Sequence, residues 1–435
     1  MKAGRVFVAL LFIVGGIGAL INGAPLYSRF LYMSALLALT AWAWTFWLSK
    51  TIAVERSARE LRANVGDIFE ERYKLINHSR IPAAWIEIIN QSKIPYAAGS
   101  RLLTLVMGRK TRTYNAYSWL TQRGKFQLGP TALNIGDPFG IFTTSKIIPA
   151  QDTLVVLPML HEIQYFPASP GLLPGGHVIQ RKSQDITPHA AGVRDYIHGD
   201  AMKRIHWRTS VRRNKLMVKE FEQDPQAEVW IYLDSQKTVH AQKPYQYEEL
   251  SVNNILFIKR PKLKLPPSTL EYAVSIAASL THYFIRQRRA VGYASMGQTY
   301  NILPADRGER QEAKILETLA FVQADGSMSI AGLVSTQAIQ LPRRSTVILI
   351  TPTVREELLQ AVDDLLLRSL YPIVILLKAH TFGGVSGAET LIASLRQRRL
   401  PIYAIACDDD LSSTLSAAAP KLQDFSLWQT PISTP

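Results

Sequence analysis

Two uncharged apolar runs near the N-terminus, Val6–Ile21 and Phe30–Leu48, constrain this chain more than any other feature. An α-helix rises about 1.5 Å per residue, so about 20 apolar residues cross a hydrocarbon layer of about 30 Å. The first run is near the short limit and the second fits. In lipid a backbone must satisfy its own hydrogen bonds, so both runs read as helices. Between them stands Asn22-Gly23-Ala24-Pro25, turn chemistry that joins the two as a hairpin. Gly15, Gly16, Gly18 and Ala19 are the small residues that let helices approach closely inside a membrane. Lys2, Arg5 and Gly23-Ala24 also have the form of a cleaved leader, but the second run spans in either reading. Trp42, Trp44 and Trp47 at one end of the second run suit a membrane boundary better than a soluble core.

The hairpin tip carries only Arg29, whereas Lys2, Arg5, Lys50, Arg56, Arg59 and Arg62 flank its open end. Positive residues remain on the cytoplasmic side. The expectation is a multi-pass protein of the inner (plasma) membrane with its soluble domains in the cytoplasm. A single Cys407 excludes an internal disulfide framework. The net charge of +15 calls for anionic partners, and the inner leaflet is the nearest. Lysines and arginines are dispersed, so nucleic acid is not an expected partner.

Removing the hairpin (1–50) leaves room for about two or three domains of ordinary size. Residues 51–165 read as a β-sandwich-like domain. Phe69, Tyr73 and Leu75 share one side of a strand, with Glu71 as the exception. Trp85–Ile89, Leu102–Met107, Tyr114–Leu120 and Phe126–Ile135 follow as short apolar runs punctuated by turn residues. Gly136-Asp137-Pro138-Phe139-Gly140 reads as a tight corner packed by Phe139.

Residues 227–435 read as a three-layer α/β domain with a mostly parallel sheet. Strands are expected at Val229–Leu233, Val291–Ser295, Tyr300–Leu303, Thr346–Ile350, Ile373–Leu377 and Ile402–Ala406. Helices are expected at Thr269–Arg289, Ala313–Val322, Val354–Leu370 and Ala388–Arg398. Ligands of such sheets bind at the carboxyl ends of strands. Those ends carry Asp234-Ser235, Thr351-Pro352-Thr353 and Asp408-Asp409-Asp410, with no glycine-rich phosphate loop. The basic run Lys259–Lys264 reads as a solvated loop.

The polar stretch 166–226 lies between these domains. A helix is expected from an Asp200 N-cap to about Arg213, with Arg204, Arg208 and Arg212 on one face and His206 and Ser210 one turn apart. Four readings compete. A metal site would use His177, His189, His198 and His206, whose spacings match no zinc pattern. A nucleophilic site would use Ser210, His206 and Asp200, without a nucleophile elbow. A basic docking face would use the three arginines against carboxylates or phosphates. A buried hydrogen-bonded knot would have His206 and Trp207 filling a seam, with the arginines paired to Asp195, Glu220 or Glu222.

Several motifs resemble those of bacterial proteins grouped as "domain of unknown function 58". They are Arg123-Gly124, Gly129-Pro130, Asp137–Gly140, Arg194-Asp195-Tyr196, Gly199-Asp200, Arg204-Ile205-His206-Trp207 and Lys215–Glu222, including Lys219 and Glu220. The resemblance covers nearly the whole chain, with His198 and Val211 standing where proline and alanine are expected. It implies a membrane-tethered protein whose C-terminal part is similar to a von Willebrand factor A domain. It also implies a MoxR-type AAA+ ATPase and a transglutaminase-like membrane protein as neighbours, and no enzymatic activity is established for such proteins. Domains of that A type often hold Mg²⁺ through Asp-x-Ser-x-Ser after the first strand. Here the sequence is Asp234-Ser235-Gln236-Lys237-Thr238, with Thr351-Pro352 where Asp-Gly is usual. Hard cations need oxygen ligands, and these departures leave a degenerate site at Asp234 and Thr238, so no cofactor is expected. The resulting expectation is a membrane-anchored, non-enzymatic adaptor or scaffold that presents an A-like domain to a partner ATPase. The alternative is an enzyme using His206 and Asp200.

Overall fold

The computed structural model describes residues 2–167, 190–197, 202, 205–221, 227–246, 263–398 and 400–417. The chain divides into two compact units, Met1–His161 with Gln242–Ser279 and Ala313–Gln323, and Glu162–Ala241 with Leu280–Glu312 and Ala324–Pro435.

The first unit begins with two helices packed together, α1 (Lys2–Asn22) and α2 (Pro25–Thr51), both long and apolar enough to cross a membrane. Gly23 adopts φ +60°, and Pro25, whose fixed φ suits a first helical turn, opens α2. The glycines of α1 set the helix spacing. A Cβ on Gly15 would lie 2.7 Å from the Leu31 backbone nitrogen, and one on Gly18 would lie 2.2 Å from the Tyr27 ring.

Helix α2 runs directly into β1 (Ile52–Ala58), and its last turns are part of a soluble core. Leu48 and Ile52 are fully buried with Tyr73, Leu75, Ile86, Val106 and Ile135. That core lies between two antiparallel sheets. One has the order β1–β3–β6, with β3 at Ile68–Asn77 and β6 at Thr111–Trp119. The other has the order β5–β4–β8–β9, at Arg101–Val106, Ala83–Asn90, Thr131–Gly136 and Thr143–Ile148. A small third sheet joins β2 (Arg62–Asn64), β10 (Thr153–Leu157) and β7 (Gly124–Gln127). The run Phe126–Ile135, expected as one strand, is two strands split at Leu128-Gly129-Pro130.

Glu71 keeps the inward alternation of β3 because β1 supplies a cation. Arg56 Nε donates to Glu71 Oε1 at 2.8 Å, and its guanidinium also lies over the Tyr73 ring. Burial pushes the Glu71 carboxyl up despite that partner.

The corner at 136–140 departs from expectation. Phe139 is 58% exposed, and Ile141 is the buried plug, seated with Val8 of α1 and Ala41 of α2. The corner is held by the buried Asp137 carboxylate, which accepts the N–H groups of Phe139, Ile141 and Phe142.

The second unit contains a six-stranded sheet in the order β15–β14–β13–β16–β17–β18. Its strands are Tyr300–Asp306, Val291–Met296, Val229–Leu233, Thr346–Thr351, Tyr371–Leu377 and Ile402–Ile405. All neighbours are parallel except the β14–β15 pair. The central strands are buried along their length, as expected for a sheet covered on both faces. Three helices pack apolar stripes on one face: α6 (Ile330–Gln337), α7 (Glu357–Leu367) and α8 (Ala388–Gln397). The other face includes Tyr403, which stacks on Phe166 at 4.9 Å. Helix α4 (Thr269–Arg286) ends before the expected Arg289, and α6 has no counterpart among the expected helices. Helix α9 (Leu411–Ala417) belongs to this unit, while α4 through Ser279 and α5 (Glu309–Phe321) from Ala313 belong to the first. Residues 259–262 of the basic run lie outside the described residues.

Candidate functional site

Two places in the second unit collect the polar residues singled out by the sequence. The first is a small module built on the antiparallel pair β11 (Ala190–Asp195) and β12 (Met217–Phe221). Gly192 pairs with Glu220, Val193 with Lys219, and Arg194 with Val218, so these positions face one another on one ribbon. The Tyr196 N–H continues the ladder to the Leu216 carbonyl.

Between the strands the chain forms α3 (Trp207–Arg213), shorter than expected. Ile205 bridges Val218 in an extended conformation, so α3 begins after it. The N-cap is His206, whose Nδ1 accepts the Thr209 N–H at 3.2 Å. Gly199, Asp200 and Arg204, like His177, His189 and His198, lie outside the described residues.

The His206 and Ser210 side chains fasten the helix to the ribbon. Ser210 Oγ donates to the His206 carbonyl at 3.1 Å and accepts the Met217 N–H at 2.8 Å. The His206 N–H reaches the Met217 carbonyl at 2.8 Å. Asn214, left-handed at φ 49°, ends the helix and returns the chain to β12. A capping Nδ1 lone pair places the proton of a neutral imidazole on Nε2. The His206 Nδ1 and the Ser210 hydroxyl are thus both hydrogen-bonded within the module.

The outer surface of α3 differs from the expected seam. Trp207 is 62% exposed and Val211 is 81% exposed, one turn apart. Arg208 and Arg212 form a second exposed pair with the same spacing. Ile197, Met202 and Leu216 add exposed apolar surface to the same module.

The second place is the strand-end crevice. The strand order reverses at β13, with β14 on one side and β16 on the other, where α/β sheets open toward ligands. Asp234 follows β13 and Thr351 ends β16. Their side chains meet: Thr351 Oγ1 donates to Asp234 Oδ2 at 2.6 Å. Asp234 Oδ1 accepts the Gln236 N–H at 3.0 Å. Burial pushes the Asp234 carboxyl up to about 6, against the pull of those two hydrogen bonds and of Arg355.

These residues do not fit a Mg²⁺ site. Both Asp234 oxygens are committed to internal donors, Thr238 is exposed in the following turn, and Lys237 places a cation beside it. No three His, Cys, Asp or Glu side chains converge for a metal among the described residues. Gly326 also closes over the crevice, with its N–H on the Ser235 carbonyl at 2.9 Å. A Cβ there would meet the Met296 carbonyl oxygen at 2.2 Å. The acidic run Asp408–Asp410 follows edge strand β18, two strands from β16, and takes no part in the crevice. Asp409 Oδ2 instead accepts the Ala406 N–H at 2.7 Å.

One comparison with known proteins overlaps the module. Residues 192–250 match the family described as "Protein of unknown function DUF58". The chain is 23% identical over 257 residues to the uncharacterized protein YeaD of Bacillus subtilis (strain 168), covering 57% of this chain and 54% of that one. The match therefore spans about half the length of that relative. Among solved structures, the CARDB domain of the Pyrococcus furiosus PF1109 protein is similar at 9% identity and a TM-score of 0.17, over 24% of this chain and 91% of that one. A Vibrio harveyi GH20 exo-β-N-acetylglucosaminidase is similar at 6% identity and a TM-score of 0.17, over 75% of this chain and 57% of that one. At those TM-scores the structural likenesses carry no argument. Residues 192–250 are thus similar to the DUF58 family of proteins of unknown function, and YeaD is a distant relative by sequence.

Proposed function

We propose that this chain is a membrane-anchored, non-enzymatic adaptor whose α3 module docks a cytoplasmic partner protein. The observation that carries the proposal is α3 itself. His206 and Ser210 are used to fix the helix, while Trp207, Val211, Arg208 and Arg212 face outward. An exposed tryptophan beside arginines is the residue set that dominates protein interfaces. The arginines would engage carboxylates, so the partner presents an acidic surface with an apolar pocket. The α/β unit is the presented von Willebrand A-like domain, and its crevice is closed by its own side chains. The helical pair holds the protein in the inner membrane with both ends on the cytoplasmic side.

The resemblance noted from the sequence makes a MoxR-type AAA+ ATPase the first partner to test, and a transglutaminase-like membrane protein the second. The full-length protein, solubilised in detergent, is incubated with the purified neighbouring ATPase. The expected result is saturable binding that Trp207→Ala weakens at least about tenfold, the scale of an interface anchor. Arg208→Glu with Arg212→Glu should abolish it. Unchanged binding in all these variants, or no binding by the wild type, refutes the reading. Activity lost in His206→Gln with folding and partner binding intact would instead favour the enzyme.

A further inference from the structure

We infer that one end of the β-sandwich rests on the anionic lipid surface, dipping Phe139 and Met107 into the headgroup layer. The inference rests on the reading that α1 and α2 span the membrane, and adds a second contact that the helices do not require.

Depth is the first argument. The corner 137–142 is packed on the helices themselves: Ile141 sits against Val8 and Ala41, and Arg5 Nε donates to the Ile141 carbonyl. The Phe139 carbonyl oxygen lies 3.3 Å from the point where a Cβ on Gly4 would stand. At 1.5 Å per residue, Gly4 is about 26 Å from Ile21 along α1, close to the inner edge of a hydrocarbon layer of about 30 Å. Phe139, exposed beside Gly4, is therefore at boundary depth, where aromatic rings are favoured.

Topology is the second argument. Trp85 of β4 pairs with Gly136 in β8, and Ala83 pairs with Val106 in β5. The corner and the β5–β6 turn are thus at the same end of the sheet. That turn is tied to the end of α2: the Thr51 carbonyl accepts the His78 N–H, the Ser79 carbonyl accepts the Arg109 N–H, and Asn77 Nδ2 donates to the Val106 carbonyl. Met107 and Leu105 project from it, exposed.

Charge is the third. Arg109 and Lys110 follow Met107 in the turn, and the Arg80 backbone lies against Gly108; all three cations are exposed and outside any ion pair among the described residues. Residues 88–136 contain no aspartate or glutamate. The only carboxylate of the corner, Asp137, is buried. A basic rim around protruding apolar side chains is the chemistry of a surface that meets anionic headgroups.

The test uses the full chain with Cys407→Ser, reconstituted in vesicles of phosphatidylglycerol and phosphatidylcholine. An environment-sensitive fluorophore is placed singly through Phe139→Cys, Met107→Cys, Gln127→Cys or Leu39→Cys. Leu39 is exposed on α2, and Gln127 is exposed at the end of β7, four residues before Thr131, which pairs with Asn90 at the opposite end of the four-stranded sheet. Labels at 139 and 107 should show blue-shifted emission, quenching by headgroup-level spin-labelled lipid and protection from iodide. The label at 127 should show the reverse. If 139 and 107 behave like 127 while 39 is quenched by lipid, the inference fails and the anchor stands. If 39 is open to iodide, both fail. A Met107 signal unchanged in pure phosphatidylcholine would overturn the assignment to anionic headgroups.

Discussion

The Thr351 hydroxyl and the Asp234 carboxylate, 117 residues apart, share a 2.6 Å hydrogen bond across the ends of two adjacent parallel strands. The bond lies at the place where α/β sheets commonly receive a ligand. It also leaves a carboxyl that holds its proton more tightly folded than unfolded, with a folded pKa of about 6. The stabilisation from the neutral form is complete below about pH 4 and is lost as the pH rises through about 6. Asp234→Asn should therefore be more stable than the parent at pH 7.5, by on the order of 2–3 kcal/mol at about 1.4 kcal/mol per pKa unit. The two should converge near pH 4. Thermal melts in detergent at the two pH values measure this.

Arg56 and Glu71 are a buried pair inside the sandwich, with Arg56 also donating to Asn90 Oδ1 at 3.1 Å. Arg56→Met strands the carboxylate and should cost about 3–5 kcal/mol. Because burial raises the Glu71 pKa, that loss should shrink as the pH falls and Glu71 takes up a proton. Arg56→Met with Glu71→Leu should recover most of the stability, since replacing both partners removes the uncompensated charge.

The glycines of α1 make graded predictions. A side chain at Gly15 meets the Leu31 backbone, which cannot rotate away, whereas Gly16 has 3.5 Å to a Leu31 methyl. Gly15→Leu should force the helices apart, and Gly16→Ala should be tolerated. Disulfide cross-linking efficiency between cysteines placed on α1 and α2, in the Cys407→Ser background, distinguishes them.

Arg123, first noted only as part of an Arg-Gly motif, lies within the first unit against the C-terminal turn of α5. Its guanidinium donates to the Val322 carbonyl at 2.6 Å and the Leu319 carbonyl at 3.2 Å, and pairs with Glu271. It supplies donors to carbonyls that a helix end leaves unpaired. Arg123→Met should lower stability by about 3 kcal/mol, within the range for breaking a buried charged cluster. Arg123→Lys should restore only part of it, because one ammonium cannot reproduce the planar fork. Melting temperatures of the three proteins decide this.

The sequence by itself determined the helical pair, the order of antiparallel sheets followed by a mostly parallel sheet, and the segment that carries the family signature. Each of these is written in local patterns: uncharged run length, alternation of period two, helical spacing and turn residues. Gly23-Ala24-Pro25 marks its own turn, and Val229–Leu233 marks its own buried strand.

Tertiary structure alone decided what the marked residues do. His206 reads as a base, a ligand or a seam filler until the fold places it at the helix entrance as the N-cap, after Ile205 pairs with Val218. Phe139 reads as a plug until Ile141 takes that place against α1 and α2. Glu71 breaks the pattern of its strand until Arg56 arrives from the neighbouring one. Asp234 stands in a degenerate metal motif in the sequence, and only the fold sets it against the Thr351 hydroxyl and the Gln236 N–H. The physical reason is common to all four. Hydrogen-bond partners and desolvation are set by residues distant in the chain, and a side chain's charge, exposure and available lone pairs follow from those partners.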